Sequence, residues 1–124
     1  RRRIFDAYSE FFADHVDRLV LPRQLPDLET AWLGYPLLLR PESGLTRPDV
    51  QSFLDSRGID TRTIWTGNVA RQPMVRGRRL VLPDDGLPNA DVVMERGVLL
   101  PLSHAIDDDT LDFVLATITE LLAA

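Results

Sequence analysis

Apolar residues in the first twenty positions recur every three or four residues, while acidic residues occupy the other faces. The recurring positions are Ile4, Tyr8, Phe11, Phe12, His15 and Leu19. This spacing predicts an amphipathic helix over residues 4–19, with His15 packed on its apolar face. No capping residue precedes Arg1, so we expect the helix to continue from a longer chain upstream. Pro22 and Pro26 then indicate a linker.

Three segments of strand length follow, at residues 31–39, 60–66 and 98–102. Their aliphatic, aromatic and β-branched side chains favour strands. Pro36 lies inside the first run and indicates an edge position or a bulge, because proline lacks the N–H that a β-ladder needs. After the second run, Gly67, Asn68 and Pro73 predict an irregular segment over residues 67–77.

Three further helices are predicted among these strands. The first begins at Thr46, in a Thr-x-x-Asp capping pattern, and ends at Gly58. The second is capped by Asn89 and stops at Gly97. The last follows three acidic residues and buries a stripe formed by Leu111, Val114, Leu115, Ile118, Leu121 and Leu122. Strands that alternate with helices predict an α/β (α+β) sandwich, in which a small sheet of about three strands packs against helices.

Composition narrows the function classes. The 124 residues carry a net charge of −5, which argues against a nucleic-acid binder. No apolar run approaches the roughly 20 residues of a membrane helix, and no secretory signal is present, so we expect a cytoplasmic protein without a membrane partner. Cysteine is absent, which excludes thiolate nucleophiles and thiolate metal sites. His15 and His104 are too few and too far apart to predict a metal site.

All fourteen basic residues are arginine, and the chain has no lysine. A Schiff base with pyridoxal phosphate needs a lysine amine, and arginine cannot replace it because the guanidinium stays protonated. The side chains of this chain therefore cannot anchor that cofactor covalently.

The candidate binding residues lie in and after the second strand, where loops commonly carry function. Arg62 and Arg71 could grip a phosphate or carboxylate, Asn68 and Gln72 could bind sugar hydroxyls, and Trp65 could supply an apolar wall. Each has an ordinary structural alternative. The arginines could be solvated or ion-paired, Trp65 could belong to the core, and Asn68 could support a left-handed turn.

The motif Gly-Ile-x-Thr-Arg at 58–62, followed by Gly-Asn-x-x-Arg-Gln-Pro at 67–73, resembles the C-terminal small domain of the sugar-nucleotide aminotransferase and dehydratase family. Within that family, this sequence resembles most the branch of 3-dehydratases that act on nucleotide-linked 4-keto-6-deoxyhexoses. The segments 32–36 and 87–91, with Met94 and the acidic start of the last helix, agree with this. The resemblance spans residues 4–122.

The resemblance implies a fold-type-I pyridoxal-phosphate enzyme, usually a homodimer, whose large N-terminal domain holds the cofactor. Residues 1–26 would then connect to that missing domain, and residues 27–124 would form the small domain that closes the active-site cleft. In the dehydratase branch a histidine replaces the Schiff-base lysine, and some members carry an iron–sulfur cluster. Those groups would lie upstream, and this chain alone would bind no cofactor.

Carried over residue by residue, the resemblance places Arg62, Trp65, Gly67, Asn68, Arg71 and Gln72 near the nucleotide-sugar substrate or at the domain interface. His104 could reach the cleft, although a half-buried structural role or a place beside the first turn of the last helix is the plainer interpretation. Two functions stay open at this point: the cleft-closing domain of a dehydratase or aminotransferase, inactive alone, and a stand-alone binding or interaction module. The first predicts exposed apolar surface where a partner domain belongs, and the second predicts a polar face there.

Overall fold

Four short strands form one antiparallel sheet, and four helices pack around it. The computed structural model describes residues 1–123. In chain order the elements are α1 (Arg2–Phe12), β1 (Leu19–Val20), β2 (Gly34–Leu39), α2 (Arg47–Ser56), β3 (Arg62–Thr63), α3 (Pro88–Arg96), β4 (Gly97–Pro101) and α4 (Asp108–Ala123). The order in the sheet is β1-β2-β4-β3. The predicted fold class is therefore confirmed, with four strands instead of about three.

The core lies between the helices and the long central pair β2 and β4. Their register sets Gly34 opposite Pro101 and Leu38 opposite Gly97. An aromatic cluster joins α1 to the sheet: the Tyr8 and Tyr35 rings are 5.1 Å apart, and the Phe5 and Tyr35 rings are also 5.1 Å apart. Helix α1 therefore shares this core with β2.

The predicted first helix is too long. The α-helix stops at Phe12, a 3₁₀ turn covers Ala13–His15, and Leu19 pairs with Leu39 as part of strand β1. The helical spacing cannot distinguish a buried helix position from a buried strand position at Leu19. His15 does pack as expected, half-buried with its ring 5.8 Å from the Phe11 ring.

Two of the predicted strands, 31–39 and 60–66, are longer than the observed ones, whereas the third, 98–102, is shifted by only one residue from β4. β2 begins only at Gly34, because the chain before it bends so that Trp32 stacks on Phe5 with ring centroids 5.0 Å apart. Between Gly34 and Leu37, β2 is paired with β4 alone, so that Pro36 stands in a locally one-sided part of the sheet. β3 keeps only two residues, because the backbone turns away directly after Thr63.

Helix boundaries follow capping chemistry. Thr46 caps α2 by accepting a hydrogen bond from the Asp49 N–H at 3.3 Å, and the left-handed Gly58 (φ +76°) follows its end, as predicted. The prediction that Asn89 caps α3 is wrong. The N-cap is Leu87, two residues earlier, and the helix begins at Pro88, whose fixed φ suits the first helical position, so Asn89 lies inside the first turn.

The last helix buries most of the predicted stripe. Leu111, Val114, Ile118 and Leu121 are buried, whereas Leu115 and Leu122 are half-buried. Asp107 accepts a hydrogen bond from the Thr110 N–H at 2.9 Å and so caps the helix. Among residues 1–123, no helix is long and apolar enough to cross a membrane.

Candidate functional site

The long connection between β3 and α3 carries most of the predicted site residues. It crosses from the N-terminal end of β4 to α3 and contains two 3₁₀ turns, Val69–Arg71 and Pro73–Val75. Helix α3 forms the other wall. Because β3 pairs with β4 through Thr63 and Val98, the connection leaves the sheet beside Gly97.

Two left-handed residues redirect the chain at this point. Trp65 has φ +46° and Gly67 has φ +64°. For a bulky residue such as Trp65 this conformation costs about 1–2 kcal/mol. The Thr63 hydroxyl donates a hydrogen bond to the Trp65 carbonyl at 2.9 Å, and the Gly67 N–H donates to the Ile64 carbonyl at 3.1 Å. These two contacts hold the turn, and the Trp65 side chain stays 66% exposed.

Asn68 is the buried centre of the site, with only 2% of its surface exposed. Its side-chain oxygen accepts a hydrogen bond from the Ala70 N–H at 2.9 Å and caps the first 3₁₀ turn. Its amide nitrogen donates to the Asp91 carboxylate at 2.7 Å. Asn68 therefore fixes the turn to helix α3, and its role goes beyond tolerance of a left-handed turn, since its own φ is −89°.

Arg71 and Asp91 form a two-pronged ion pair. Nε of Arg71 lies 2.9 Å from one carboxylate oxygen of Asp91, and Nη2 lies 2.8 Å from the other. Hydrogen bonds from Arg71 and Asn68 lower the pKa of Asp91 to about 2, and the same ion pair raises the pKa of Arg71. The guanidinium is thereby oriented while 63% of the Arg71 side chain remains exposed.

Gln72 closes the loop on itself. Its amide nitrogen donates to the Thr66 carbonyl at 2.8 Å and lies 3.9 Å from the sulfur of Met94. A groove of about 360 Å³ lies beside it, lined by Trp65, Gly67, Gln72 and Met94 among others. The groove can admit a ring-sized group, with amide and apolar atoms on its walls.

Arg62 and His104 do not belong to the polar cluster, which is formed by Asn68, Arg71 and Gln72 with their partners on helix α3. Arg62 lies on β3 with 78% of its side chain exposed and a loose contact of 3.6 Å to Asp60. It lines a shallower depression of about 690 Å³ on the other side of Trp65. His104 is exposed and follows the C-terminal end of β4, whereas the cluster lies at the N-terminal end. The half-buried role expected for His104 is therefore wrong.

Two residues that complete the cluster were not predicted as site residues. Asp91 holds both Asn68 and Arg71, and Met94 contacts Gln72. Both lie in the segment around 87–94 that contributed to the family resemblance. Nothing in the local sequence pairs them with residues about twenty positions earlier.

Charge is segregated along the chain around this site. Residues 61–83, which we call the acid-free segment, contain five arginines and no aspartate or glutamate, although the whole chain has a net charge of −5. The arginines are Arg62, Arg71, Arg76, Arg78 and Arg79. The segment also exposes apolar side chains, notably Met74 and Val81, with 75% and 93% of their surface accessible.

Comparison with known proteins gives the family. Residues 1–119 match the model of the DegT/DnrJ/EryC1/StrS aminotransferase family. The chain belongs to this family. One relative, named dTDP-4-dehydro-2,6-dideoxy-D-glucose 3-dehydratase, from Saccharopolyspora spinosa, is 32% identical over 105 residues, which cover 85% of this chain and 22% of the relative. The chain thus spans about a quarter of the curated relatives it matches, with shares of 22% to 29%.

Solved structures share the fold. A family aminotransferase from Brucella abortus superposes with a TM-score of 0.81 at 18% identity, over 99% of this chain and 30% of that one. The E. coli GDP-4-keto-6-deoxy-D-mannose-3-dehydratase, solved with bound hydrated PLP, gives a TM-score of 0.79 at 21% identity, over 94% of this chain and 29% of that one. At these identities the likeness establishes the fold of this chain.

Proposed function

We propose that this chain is the cleft-closing C-terminal domain of a longer pyridoxal-phosphate enzyme, called the parent enzyme below, that removes the C3 hydroxyl of a nucleotide-linked 4-keto-6-deoxyhexose in deoxysugar biosynthesis. The observation that carries the proposal is the 32% identity, over 85% of this chain, to a protein named as such a 3-dehydratase. Because the chain covers only 22% of that relative, the remainder of the parent enzyme would supply most of the active site.

The residues of this chain do not fit the cofactor as its sole holder. The chain contains no lysine for a Schiff base, and its two histidines lie outside the site, His15 in the turn after α1 and His104 beyond the C-terminal end of β4. We therefore assign no chemical step to a cofactor on this chain. The proposal puts the cofactor on the remainder of the parent enzyme, in a cytoplasmic homodimer, and makes residues 1–124 inactive alone.

The contribution of this chain would be binding and orientation. Arg71 is held by Asp91 and still exposes most of its side chain, so it can meet an anionic group of the substrate without first being ordered. Asn68 is committed to the scaffold by its two hydrogen bonds, which makes it a positioning residue. Gln72 faces the groove beside Trp65 and is placed to meet a polar group there.

Exposed apolar side chains support the partial-domain proposal over a stand-alone module. Leu33, Met74 and Val81 are each at least 70% accessible, which is unfavourable for apolar side chains that remain in contact with water. In a longer protein, such side chains are commonly buried at the interface with a neighbouring domain.

The test uses the parent enzyme and the chain alone, each given a nucleotide-linked 4-keto-6-deoxyhexose and the aminated form of the cofactor, whose oxidation to the aldehyde form supplies the two electrons that removal of the C3 hydroxyl consumes. Mass spectrometry and NMR of the sugar should show loss of the C3 hydroxyl with the parent enzyme and an unchanged sugar with residues 1–124. Gain of an amino group, with an amino donor present, would assign the aminotransferase reaction of the same family instead. An unchanged sugar in every reaction with the intact parent enzyme would refute the proposal.

Substitution of Arg71 tests the site. Arg71→Ala in the parent enzyme should lower kcat/KM more than tenfold, the order expected when a charged group that binds an anion is removed. Arg79→Ala is the matched control, because it removes the same charge from the same acid-free segment and should change kcat/KM less than threefold. Equal effects of the two substitutions would place Arg71 among the ordinary surface arginines.

A further inference from the structure

The two tryptophans of the chain occupy opposite kinds of environment. Trp32 is half-buried, stacks on Phe5 with planes 11° apart, and donates its indole N–H to Gln24 at 2.9 Å. Trp65 has 66% of its surface exposed. Within residues 1–123 its ring stacks on no other aromatic ring and its N–H finds no acceptor. Trp32 thus has the environment of a structural tryptophan, and Trp65 does not.

The backbone holds Trp65 in this exposed position at a cost. Its φ of +46° is unfavourable for a bulky side chain, and the hydrogen bond from the Thr63 hydroxyl maintains it. A flexible surface residue would relax to a common conformation. In the observed conformation Trp65 lines two depressions, one shared with Gln72 and Met94 and the other shared with Arg62 and Gln51.

The charge around Trp65 selects the kind of ring that would bind. Arg62 lies three residues away, 78% exposed, in the acid-free segment with its five arginines. Arg62 has only a long 3.6 Å contact to Asp60, and a flat, exposed aromatic face beside such a weakly paired guanidinium suits a ligand that joins an aromatic ring to phosphates. A nucleoside diphosphate has this chemistry, whereas a sugar alone has neither the ring nor the charge.

We propose that the indole of Trp65 is the stacking wall for the nucleobase of the substrate, with Arg62 facing its diphosphate. This assignment rests on the proposed function, because it presumes a nucleotide-linked substrate. It makes Trp65 a specificity residue for the nucleotide part of the substrate, which contributes to binding and leaves the chemistry at the sugar to other groups.

Fluorescence of the parent enzyme tests the assignment directly. Thymidine diphosphate should quench tryptophan emission in the wild type and in Trp32→Phe, and this quenching should be absent in Trp65→Phe. Pyrophosphate, which has the charge without the base, should leave the emission unchanged. Quenching by thymidine diphosphate that survives in Trp65→Phe would overturn the assignment. So would a Trp65 emission already blue-shifted in the free parent enzyme, because the indole would then be covered by protein.

Kinetics give a second readout. Trp65→Ala should raise KM for the nucleotide sugar about tenfold while kcat changes less than twofold, and Trp65→Phe should restore most of the affinity, because stacking needs only an aromatic face. An unchanged KM in Trp65→Ala, with the wild type active, would refute the stacking role and leave the proposed function intact. A wild type that binds thymidine diphosphate through Trp65 and leaves the sugar unchanged would refute the proposed function and keep the nucleotide site.

Discussion

Replacement of Gly67 by alanine tests whether the turn is fixed by its contact with helix α3. A Cβ added at Gly67 would lie 2.3 Å from the Cβ of Met94 and 2.6 Å from its Cα. Carbon atoms do not approach this closely, so the loop and the helix must separate. The left-handed backbone of Gly67, at φ +64°, adds a second cost.

The two costs can be separated with a matched glycine. Gly77 lies in the same connection with φ +72°, and a Cβ added there meets nothing within 4 Å. Gly77→Ala should therefore lose only the conformational part, about 1–2 kcal/mol of unfolding free energy. Gly67→Ala should lose that amount and about 1–3 kcal/mol more for overpacking, so its total loss should be about 2–5 kcal/mol.

Urea denaturation followed by circular dichroism measures both variants, with an unchanged m-value as the sign of an unchanged unfolding transition. Met94→Ala should fail to rescue Gly67→Ala, because the closest atoms at position 94 are the Cα and Cβ that alanine retains. Equal losses of unfolding free energy for the two glycine substitutions, or rescue by Met94→Ala, would refute the argument that the backbone of α3 packs directly against Gly67.

Two further predictions concern the hydrogen bonds of the same cluster. Asp91 has a native pKa of about 2, below its ordinary 3.8, so the ionised carboxylate stabilises the fold above about pH 4, and this contribution is lost as the pH falls toward 2. Asp91→Asn should therefore flatten the pH dependence of the unfolding free energy between pH 4 and 2. An unchanged pH dependence in this variant would contradict the assignment. Asn68→Ala should cost about 1–3 kcal/mol in urea denaturation, because it leaves the Ala70 N–H without its partner, whereas the exposed neighbour Val69→Ala should cost well under 1 kcal/mol.

Local patterns in the sequence predict those parts of the fold that local chemistry determines. The capping pattern at Thr46, the helix end before Gly58 and the apolar stripe of α4 all depend on residues within a few positions of one another, and all three are confirmed. The prediction is wrong where distant contacts decide. Leu19 joins a strand because Leu39 lies beside it, a fact that no window around Leu19 contains.

The same reasoning explains what was predictable about the site. Asn68, Arg71 and Gln72 could be chosen because they are polar residues concentrated in an irregular segment after a strand. Their partner Asp91 could not, because the ion pair spans twenty positions and depends on where α3 docks. His104 can be proposed by residue type alone, and it follows the C-terminal end of β4, whereas Asn68 and Arg71 lie near the N-terminal end.

The pairing of Arg71 with Asp91 bears directly on whether Arg71 can bind a substrate. A guanidinium has five N–H donors, and Asp91 uses two of them, one on Nε and one on Nη2. The remaining three are not used by Asp91, and 63% of the Arg71 side chain is exposed. Because Asp91 fixes the orientation, an arriving anion meets a guanidinium that has already lost most of its rotational freedom. A structural interpretation would treat this ion pair as the whole role of Arg71. The pair is nevertheless compatible with anion binding by the same guanidinium. Asp91→Ala in the parent enzyme should accordingly raise KM while leaving Arg71 in place, whereas a purely structural pair would change stability and not KM.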